Sequence, residues 1–477
     1  MRRFVLVVWI LAFVFLYSNT SAQNRQLQKT DSVLTLIKQK FKLKNANELY
    51  ALMGDKFKTA LTPTAFQTVC NQQLFPLGNI KSDSLISFVN NKTATYKLRL
   101  DAVTLQLMLS LDQFDKIELF LFQPYKDVSV KKIIQAATSN PLLNIVDKKV
   151  DTAARAYIQK TNTVGLSIGI IKNGNVSIYN YGETTKGNNK LPTGNTLFEI
   201  GSITKTFTAA LLARYVNEGK IKLSDPIINY LPDSVAANVQ LKNITLLNLS
   251  NHTSGLPSLP TNFQAQKPYD QSNPYKNYNK QLLFTYLKSC RLNNEPGTTY
   301  AYSNVAAGLL GVILEKISGK AYEQIVQEFI TVPVQMKSTA QHLPRILADR
   351  FATVYDDQGN VTPAWDFDAL AAAGSLRSTV NDLAIYAKAN MATDESKLSK
   401  AFALTHKITF KNSDTPIALG WHIIKVGGVD YTYHNGGTYG SSSFLAFNIE
   451  KRLAVIVLSN ASESTDALGT DLIKKLQ

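Results

Sequence analysis

Ser202 and Lys205 lie three residues apart at the start of an apolar segment of the chain. On a helix this spacing puts both side chains on one face, so the lysine amine would stand beside the serine hydroxyl. A serine hydroxyl is a poor nucleophile until a base removes its proton, and a desolvated lysine with a lowered pKa can be that base. The same Ser-x-x-Lys pattern recurs at Ser129 and Lys132, so the spacing alone does not identify a catalytic pair.

The residues after Ser202 predict a helix that runs to about residue 218 and ends before Gly219. Its apolar positions form one stripe, made of Phe207, Leu211 and Tyr215. The first N–H groups of a helix are unpaired, and the helix dipole favours negative charge beside them. Ser202 is therefore predicted at a position where the oxyanion of an attacked carbonyl would be stabilised.

A second segment, Tyr302-Ser303-Asn304, precedes an apolar helix predicted from residue 306 to about residue 317. In such a loop Tyr302 could relay protons to a leaving group, and the Asn304 amide could hold the carbonyl of a substrate. The Tyr-x-Asn pattern also occurs at Tyr275-Lys276-Asn277, in a polar loop, and we interpret that copy as unrelated to the site.

The third segment is His434-Asn435-Gly436-Gly437, on a strand predicted from residue 430 to residue 435. Its glycines allow another backbone to approach closely, and a substrate laid along the strand would extend the sheet. The amides of Gly437 and Ser202 could then form an oxyanion hole. The alternative is a hairpin turn with an exposed histidine.

Taken in this order, the three segments resemble the family of class C β-lactamases, serine D-alanyl-D-alanine carboxypeptidases and related esterases. That family carries Ser-x-x-Lys, Tyr-x-Asn and Lys-Thr-Gly or His-Thr-Gly. Further similarity lies at residues 247–256, at Pro296-Gly297 and at residues 372–379, and the resemblance covers about residues 146–477. It implies a covalent acyl-enzyme on Ser202 and hydrolysis without a cofactor.

His434 departs from the lysine that many β-lactamases of this family have in the third motif. A histidine with an ordinary pKa of about 6.5 is mostly neutral at pH 7, which weakens the binding of a substrate carboxylate. This disfavours a dedicated β-lactamase and leaves a peptidase, a carboxypeptidase or an esterase open. A binding protein without turnover is the alternative from another class. The presence of all four predicted site residues disfavours it: Ser202, Lys205, Tyr302 and His434.

His252 invites a Ser-His-Asp interpretation, but the chain contains no Gly-x-Ser-x-Gly nucleophile turn. We therefore predict that His252 is structural. The five histidines show no metal-ligand spacing, so we expect no metal and no cofactor.

The length of 477 residues predicts two domains. Residues 1–22 are typical of a secretory signal, with an apolar run too short for a membrane anchor, so we expect an exported, periplasmic or secreted protein. Residues 23–127 predict helices followed by a four-stranded meander, a small α+β domain that resembles the NTF2-like fold, and residues 128–145 predict a linker.

Residues 146–477 predict a hydrolase domain with strands at both ends and a helical region between them. Hairpins at Asn173-Gly174 and at residues 443–458 indicate an antiparallel sheet whose first and last strands meet. The expected fold class is α/β (α+β), an antiparallel sheet flanked by helices with an inserted helical region.

The formal net charge of +16 invites a nucleic-acid interpretation, but the lysines are scattered and no nucleic-acid-binding motif is present. We expect a small peptide, ester or β-lactam substrate, with cell-wall fragments as a further class. Cys70 and Cys290 fall in different predicted domains, and two buried free thiols are favoured over an interdomain disulfide.

Overall fold

The computed structural model describes residues 26–89, 92–125, 136–411 and 416–477. The predicted signal at residues 1–22 lies outside the described residues. The chain divides into two compact units, one up to Lys131 and one from Lys132. The finer boundaries at residues 127 and 146 stay a prediction.

The first unit contains helices followed by strands, in the order that the sequence predicts. Its described helices are α1 (26–42), α2 (Ala46–Tyr50), α3 (Asp55–Ala60) and α4 (Pro63–Val69). Its strands are β1 (Ile80–Val89), β2 (Thr93–Leu100), β3 (Thr104–Leu111) and β4 (Ile117–Pro124). Thr62 caps α4 by accepting a hydrogen bond from the Ala65 N–H at 3.3 Å, with Pro63 in the first turn.

The four strands pair antiparallel in the order β1-β2-β3-β4. Alternate leucines of β3 are buried, as predicted: Leu105, Leu107, Leu109 and Leu111. They pack with helical side chains such as Phe41 and Phe66 in one core. The likeness of this unit to the NTF2-like fold stays a prediction.

The second unit is built on an eight-stranded antiparallel sheet in the order β6-β5-β14-β13-β12-β11-β10-β9. In sequence order, the first and last strands of this sheet are β5 (Gly165–Lys172), β6 (Asn175–Gly182), β13 (Ser442–Asn448) and β14 (Leu453–Ser459). Between them lie β9 (Phe410–Lys411), β10 (Pro416–Ile417), β11 (His422–Val426) and β12 (Val429–Gly437). A separate short pair is formed by β7 (Phe198–Glu199) and β8 (Arg377–Ser378).

The α-helices of this unit begin before the sheet, fill the middle of the chain and close it. They are α5 (Ile145–Ile158), α6 (Thr204–Asn217), α7 (Asp233–Ala236), α8 (Leu246–Ser250), α9 (Lys280–Ser289), α10 (Asn304–Ser318), α11 (Tyr322–Val326), α12 (Arg345–Ala348), α13 (Val380–Met391), α14 (Lys397–Thr405) and α15 (Asp466–Leu476). Among the described residues, none of the helices is both long and apolar enough to cross a bilayer.

The predicted meeting of the first and last strands is confirmed, because β5 pairs antiparallel with β14. The turn between β5 and β6 is Asn173-Gly174, with φ of 52° and 85°, as a two-residue hairpin turn requires. Helices cover both faces of the sheet, with α5 and α15 on one face and α13 on the other. The predicted fold class is confirmed.

Helix α6 is buried far more completely than its sequence pattern predicts. Besides the predicted stripe of Phe207, Leu211 and Tyr215, every side chain from Thr204 to Ala213 is buried. The reason is that α10, α11 and α14 pack around α6 and enclose the polar positions as well. The prediction of a single apolar face was therefore too narrow.

Both cysteines, Cys70 and Cys290, are buried and free. Burial raises the pKa of each thiol to about 11. The interdomain disulfide that the sequence left open is not formed, and the favoured interpretation is confirmed.

Phe207 anchors the helix that follows the candidate nucleophile, stacking on Tyr386 with ring centroids 4.0 Å apart. Because the side chain is fully buried, Phe207→Ala should lower the free energy of unfolding by about 3–5 kcal/mol. Urea unfolding measures this change. Phe114→Ala, at a side chain that is 75% exposed, is the matched control and should stay within about 0.5 kcal/mol of the unsubstituted protein.

Candidate functional site

Ser202 lies in a single 3₁₀ turn, Gly201–Ile203, which connects β7 to the first residue of α6. Gly201 has φ of +48°, in the left-handed region that favours glycine. A Cβ at this position would lie 2.7 Å from the Gly437 nitrogen. The predicted serine at a helix start is therefore present, and its turn presses against the end of β12.

Gly436 completes this close approach from the side of the sheet. A Cβ at Gly436 would lie 2.1 Å from the Ile200 carbonyl oxygen and 2.5 Å from the Ser443 hydroxyl. The Ser443 hydroxyl donates a hydrogen bond to the same carbonyl at 2.9 Å. These contacts hold the nucleophile turn beside the backbone of Gly437, as the glycines of the third segment predict.

Two side chains contact the hydroxyl of Ser202 directly. The Lys205 Nζ lies 2.9 Å from the Ser202 Oγ, and the Tyr302 hydroxyl donates to the same oxygen at 2.6 Å. The Lys205 Nζ also lies 4.7 Å from the centre of the Tyr302 ring. The structure thus brings together the serine, the lysine and the tyrosine that the sequence selected.

Lys205 is enclosed by protein, and this desolvation lowers its pKa well below the usual value of 10.5. Its Nζ lies 2.8 Å from the Asn304 Oδ1 and 2.7 Å from the Ala373 carbonyl oxygen, and both atoms can only accept. A neutral amine has two N–H groups, which these acceptors use, and one lone pair. The third contact of the Nζ is the Ser202 Oγ, and in the neutral form, which desolvation favours, the lone pair would face this oxygen.

Tyr302 keeps its proton, because burial raises the pKa of its phenol above the usual value of 10. With Tyr302 donating to the Ser202 Oγ, the serine hydrogen is free to point toward Lys205. The arrangement can therefore move a proton from serine to lysine as the oxygen attacks.

Asn304 is the first residue of α10, which is capped by the Ser303 hydroxyl. Its Oδ1 holds Lys205, and its Nδ2 donates to the Tyr275 hydroxyl at 3.1 Å. The interpretation of Tyr275 as unrelated is thus wrong. The Tyr-x-Asn spacing carries no information about this contact, because the loop reaches Asn304 only through the tertiary fold.

His434 is fully buried on β12, and its Nδ1 lies 2.5 Å from the Asn435 carbonyl oxygen. Its ring lies 6.5 Å from that of Tyr302 and 5.1 Å from that of His422. Burial, followed by the neighbouring His422 and Lys205, lowers the pKa of His434 well below its usual value. The described contacts include no hydrogen bond from His434 to Ser202, so a substrate-positioning role stays a prediction.

His252 lies beneath the tyrosine, with its ring 4.5 Å from that of Tyr302. Its Nδ1 accepts a hydrogen bond from the Ser303 N–H at 3.2 Å, and its backbone has φ of +60°. Accepting at Nδ1 requires the neutral ring, which agrees with the pKa lowered by burial. His252 supports Tyr302 and does not contact the nucleophile directly.

Glu199, which sequence analysis missed, lies three residues before Ser202 and is buried. Its carboxylate accepts hydrogen bonds from the Thr438 hydroxyl at 2.7 Å, the Ser441 hydroxyl at 3.1 Å and the Trp365 N–H at 2.6 Å. Burial raises its pKa. An acid inside an apolar segment was the available signal, since such a group is rarely buried without partners.

A serine hydrogen-bonded to a desolvated lysine and a buried tyrosine, at the head of an enclosed helix, has the surroundings that a nucleophile in acyl transfer requires. The sequence profile of the β-lactamase family matches residues 150–477, more than half of the chain. The chain belongs to the β-lactamase family, and it is a serine hydrolase.

Named relatives agree with this assignment. The chain is 31% identical to a β-lactamase of Pseudomonas fluorescens over 276 residues, 57% of this chain and 73% of the relative. It is 28% identical to the D-alanyl-D-alanine-carboxypeptidase/endopeptidase AmpH of Escherichia coli (strain K12) over 335 residues, 66% of this chain and 84% of the relative. A solved class C β-lactamase, 25% identical, superposes with a TM-score of 0.63 over 70% of this chain and 96% of its own.

The lowered pKa of Lys205 predicts a pH dependence of stability. At a pH between the lowered pKa of the folded protein and the value near 10.5 of the unfolded chain, Lys205 is protonated only in the unfolded chain. Raising the pH in this range therefore increases the free energy of unfolding, by about 1.4 kcal/mol per pH unit at most. Lys205→Met lacks this proton uptake. Relative to that variant, the unsubstituted protein should gain stability from about pH 7.5 to about pH 9, measured by urea unfolding.

The exposed Lys316, on α10, offers the matched control, and Lys316→Met should follow the unsubstituted protein at each pH. If the free energy of unfolding changes with pH in the same way for Lys205→Met and for the unsubstituted protein, the buried amine is charged in the folded state and has no lone pair to accept the serine proton.

Proposed function

We propose that the chain hydrolyses acyl compounds through a covalent acyl-enzyme on Ser202, with Lys205 as base and Tyr302 as proton relay. The observation that carries this proposal is the set of contacts of the buried Lys205 amine, which has two acceptors in Asn304 and Ala373 and the Ser202 Oγ as its third neighbour. A charged or solvent-exposed lysine at the same distance would not activate the hydroxyl.

In the first step the Ser202 Oγ attacks the carbonyl carbon, and its proton passes to Lys205. The oxyanion would be held by the N–H groups of Ser202 and Gly437, and the close packing of Gly201 against Gly437 supports this assignment. Tyr302, which already touches the Ser202 Oγ, then delivers a proton to the leaving group as the tetrahedral intermediate collapses. The proton that Lys205 took from Ser202 then passes to the Tyr302 oxygen, so both groups regain their starting protonation before the second step.

In the second step water attacks the acyl-enzyme, and the same groups take its proton and return it to the Ser202 oxygen. The reaction consumes one water and needs no cofactor. Asn304 would hold Lys205 during both steps, and Gly436 would keep β12 close enough for the oxyanion contact. His434 would position the substrate as a neutral group, since burial lowers its pKa.

For the substrate we favour short peptides with a D-residue or cell-wall fragments, then small esters, then β-lactams. The predicted export, the net positive charge and the presence of His434 where many β-lactamases have lysine support this order. The relatives support the class, since one is named a β-lactamase and another a D-alanyl-D-alanine-carboxypeptidase/endopeptidase. Assays with D-alanyl-D-alanine peptides and p-nitrophenyl esters test it, and inactivity on the peptides removes the first choice.

We also propose export, with cleavage before Gln23, so that the protein acts in the periplasm or outside the cell. The basis is the charged start, apolar run and small residues of segment 1–22. The intact mass of the protein recovered outside the cytoplasm tests this, and a mass that includes the first 22 residues would contradict it.

Ser202→Ala should abolish covalent labelling by a fluorophosphonate and by a fluorescent penicillin, because it removes the attacking oxygen. The mass of the labelled protein measures the loss. Ser129→Ala is the matched control, since Ser129 heads the second Ser-x-x-Lys pattern, and it should label normally. Failure of both probes on the folded, unsubstituted protein would favour a binding protein without turnover.

Tyr302→Phe removes the O–H that contacts Ser202 and keeps the ring against His252. The rate of acylation by a D-alanyl-D-alanine peptide, whose amine leaving group must take a proton to depart, should fall by about 10²–10⁴-fold, with little change in melting temperature. Tyr230→Phe, which removes a hydroxyl bonded to Asp225 at 2.8 Å, is the control and should acylate normally. A normal rate in Tyr302→Phe would exclude the tyrosine as the relay.

A further inference from the structure

Contacts that begin at Ser202 continue into a group of aromatic side chains. The Ser202 hydroxyl contacts Lys205, Lys205 contacts Asn304, and Asn304 contacts the Tyr275 hydroxyl at 3.1 Å. The Tyr275 ring in turn lies 5.1 Å from the ring of Trp365. One side of the site is thus bounded by aromatic surface.

A second set of contacts also connects these aromatic side chains to the nucleophile. Trp365 meets Tyr439 edge to face, with centroids 4.7 Å apart and planes at 76°. Tyr439 lies two residues after Gly437, and Gly437 packs against Gly201, the neighbour of Ser202. The contacts therefore form a closed series that starts and ends at the nucleophile and includes Trp365 and Tyr439.

Trp365 and Tyr439 differ from Tyr275, the other aromatic residue in this series of contacts, because their side chains are accessible to solvent. Tyr439 is 45% exposed and Trp365 is partly buried, whereas Tyr275 is buried. A large aromatic side chain left open beside a reactive group offers flat apolar surface that a ligand can cover.

Buried Glu199 holds both members of this pair in place. It accepts the backbone N–H of Trp365 at 2.6 Å and the hydroxyls of Thr438 and Ser441, which flank Tyr439 in the turn after β12. The two aromatic residues come from distant parts of the chain, and a single carboxylate bonds both the backbone of Trp365 and the hydroxyls on either side of Tyr439. Such fixed placement suits a binding surface better than a mobile loop would.

We propose that Trp365 and Tyr439 form a subsite that selects substrates with an aromatic or other large apolar acyl group. Tyr302, the proposed donor to the leaving group, packs against His252 and has His434 nearby, so we assign the leaving group to the Tyr302 side of the nucleophile. The acyl group of the substrate is then assigned to the side of Trp365 and Tyr439. The inference rests on the proposed acyl-enzyme function and adds the substrate class.

The test compares kcat/KM for p-nitrophenyl phenylacetate and p-nitrophenyl acetate, which share a leaving group and differ in the acyl group. The unsubstituted protein should prefer the phenylacetate. Tyr439→Ala and Trp365→Ala should each lower the phenylacetate-to-acetate ratio by about tenfold, because each removes part of the apolar surface. Tyr439→Phe keeps the ring and should retain the preference.

Phe114→Ala, which removes a 75% exposed aromatic side chain from the first unit, is the matched control and should leave the ratio unchanged. Acylation of Ser202 by both esters with an unaltered ratio in Tyr439→Ala and Trp365→Ala would overturn the subsite and leave the proposed function intact. If neither ester nor the fluorophosphonate modifies Ser202, the proposed function fails, and the subsite fails with it.

Discussion

The amine of Lys205 has been removed from water, and the desolvation of that single cation governs the chemistry that surrounds it. A solvated lysine would be charged at neutral pH and could only donate hydrogen bonds. In the closed space among α6, α10 and the turn at Ala371–Ala373, the charged form is disfavoured, and two fixed acceptors take both N–H groups of the neutral form. The lone pair has one direction left, toward Ser202. Burial thus supplies both the pKa and the aim of the base.

This environment explains why α6 is enclosed on nearly all sides. A helix with one apolar face would leave the lysine at the edge of the core and in contact with water. Because α10, α11 and α14 surround α6, even its threonines are buried, and they bond to neighbouring groups, as Thr206 does to Tyr386 and Thr208 to Tyr322. The free energy lost in desolvating Lys205 is offset by the packing of the whole helix.

The site is also unusual for a reactive centre in having neutral basic groups. Burial lowers the pKa of His252, His422 and His434, and none of these rings supplies a fixed cation. Recognition must then depend on backbone N–H groups, on neutral hydrogen bonds and on apolar surface. The accessible aromatic pair Trp365 and Tyr439 offers apolar surface of this kind.

Much of this protein can be read from local sequence pattern. The two hairpins, which lie side by side at one edge of the sheet, and the leucine alternation in β3 follow from turn chemistry and periodicity, which act between residues near each other in the chain. The serine, lysine and tyrosine of the site were selected because three motifs in order resemble a known family, since the spacings by themselves recur elsewhere in the chain. What local pattern does not encode is which distant groups share a space. The contact of Tyr275 with Asn304, the bonds of Glu199 to the turn after β12, the burial of His434 and the desolvation of Lys205 were decided by the tertiary structure, because burial and long-range hydrogen bonds exist only once the helical region closes over the sheet.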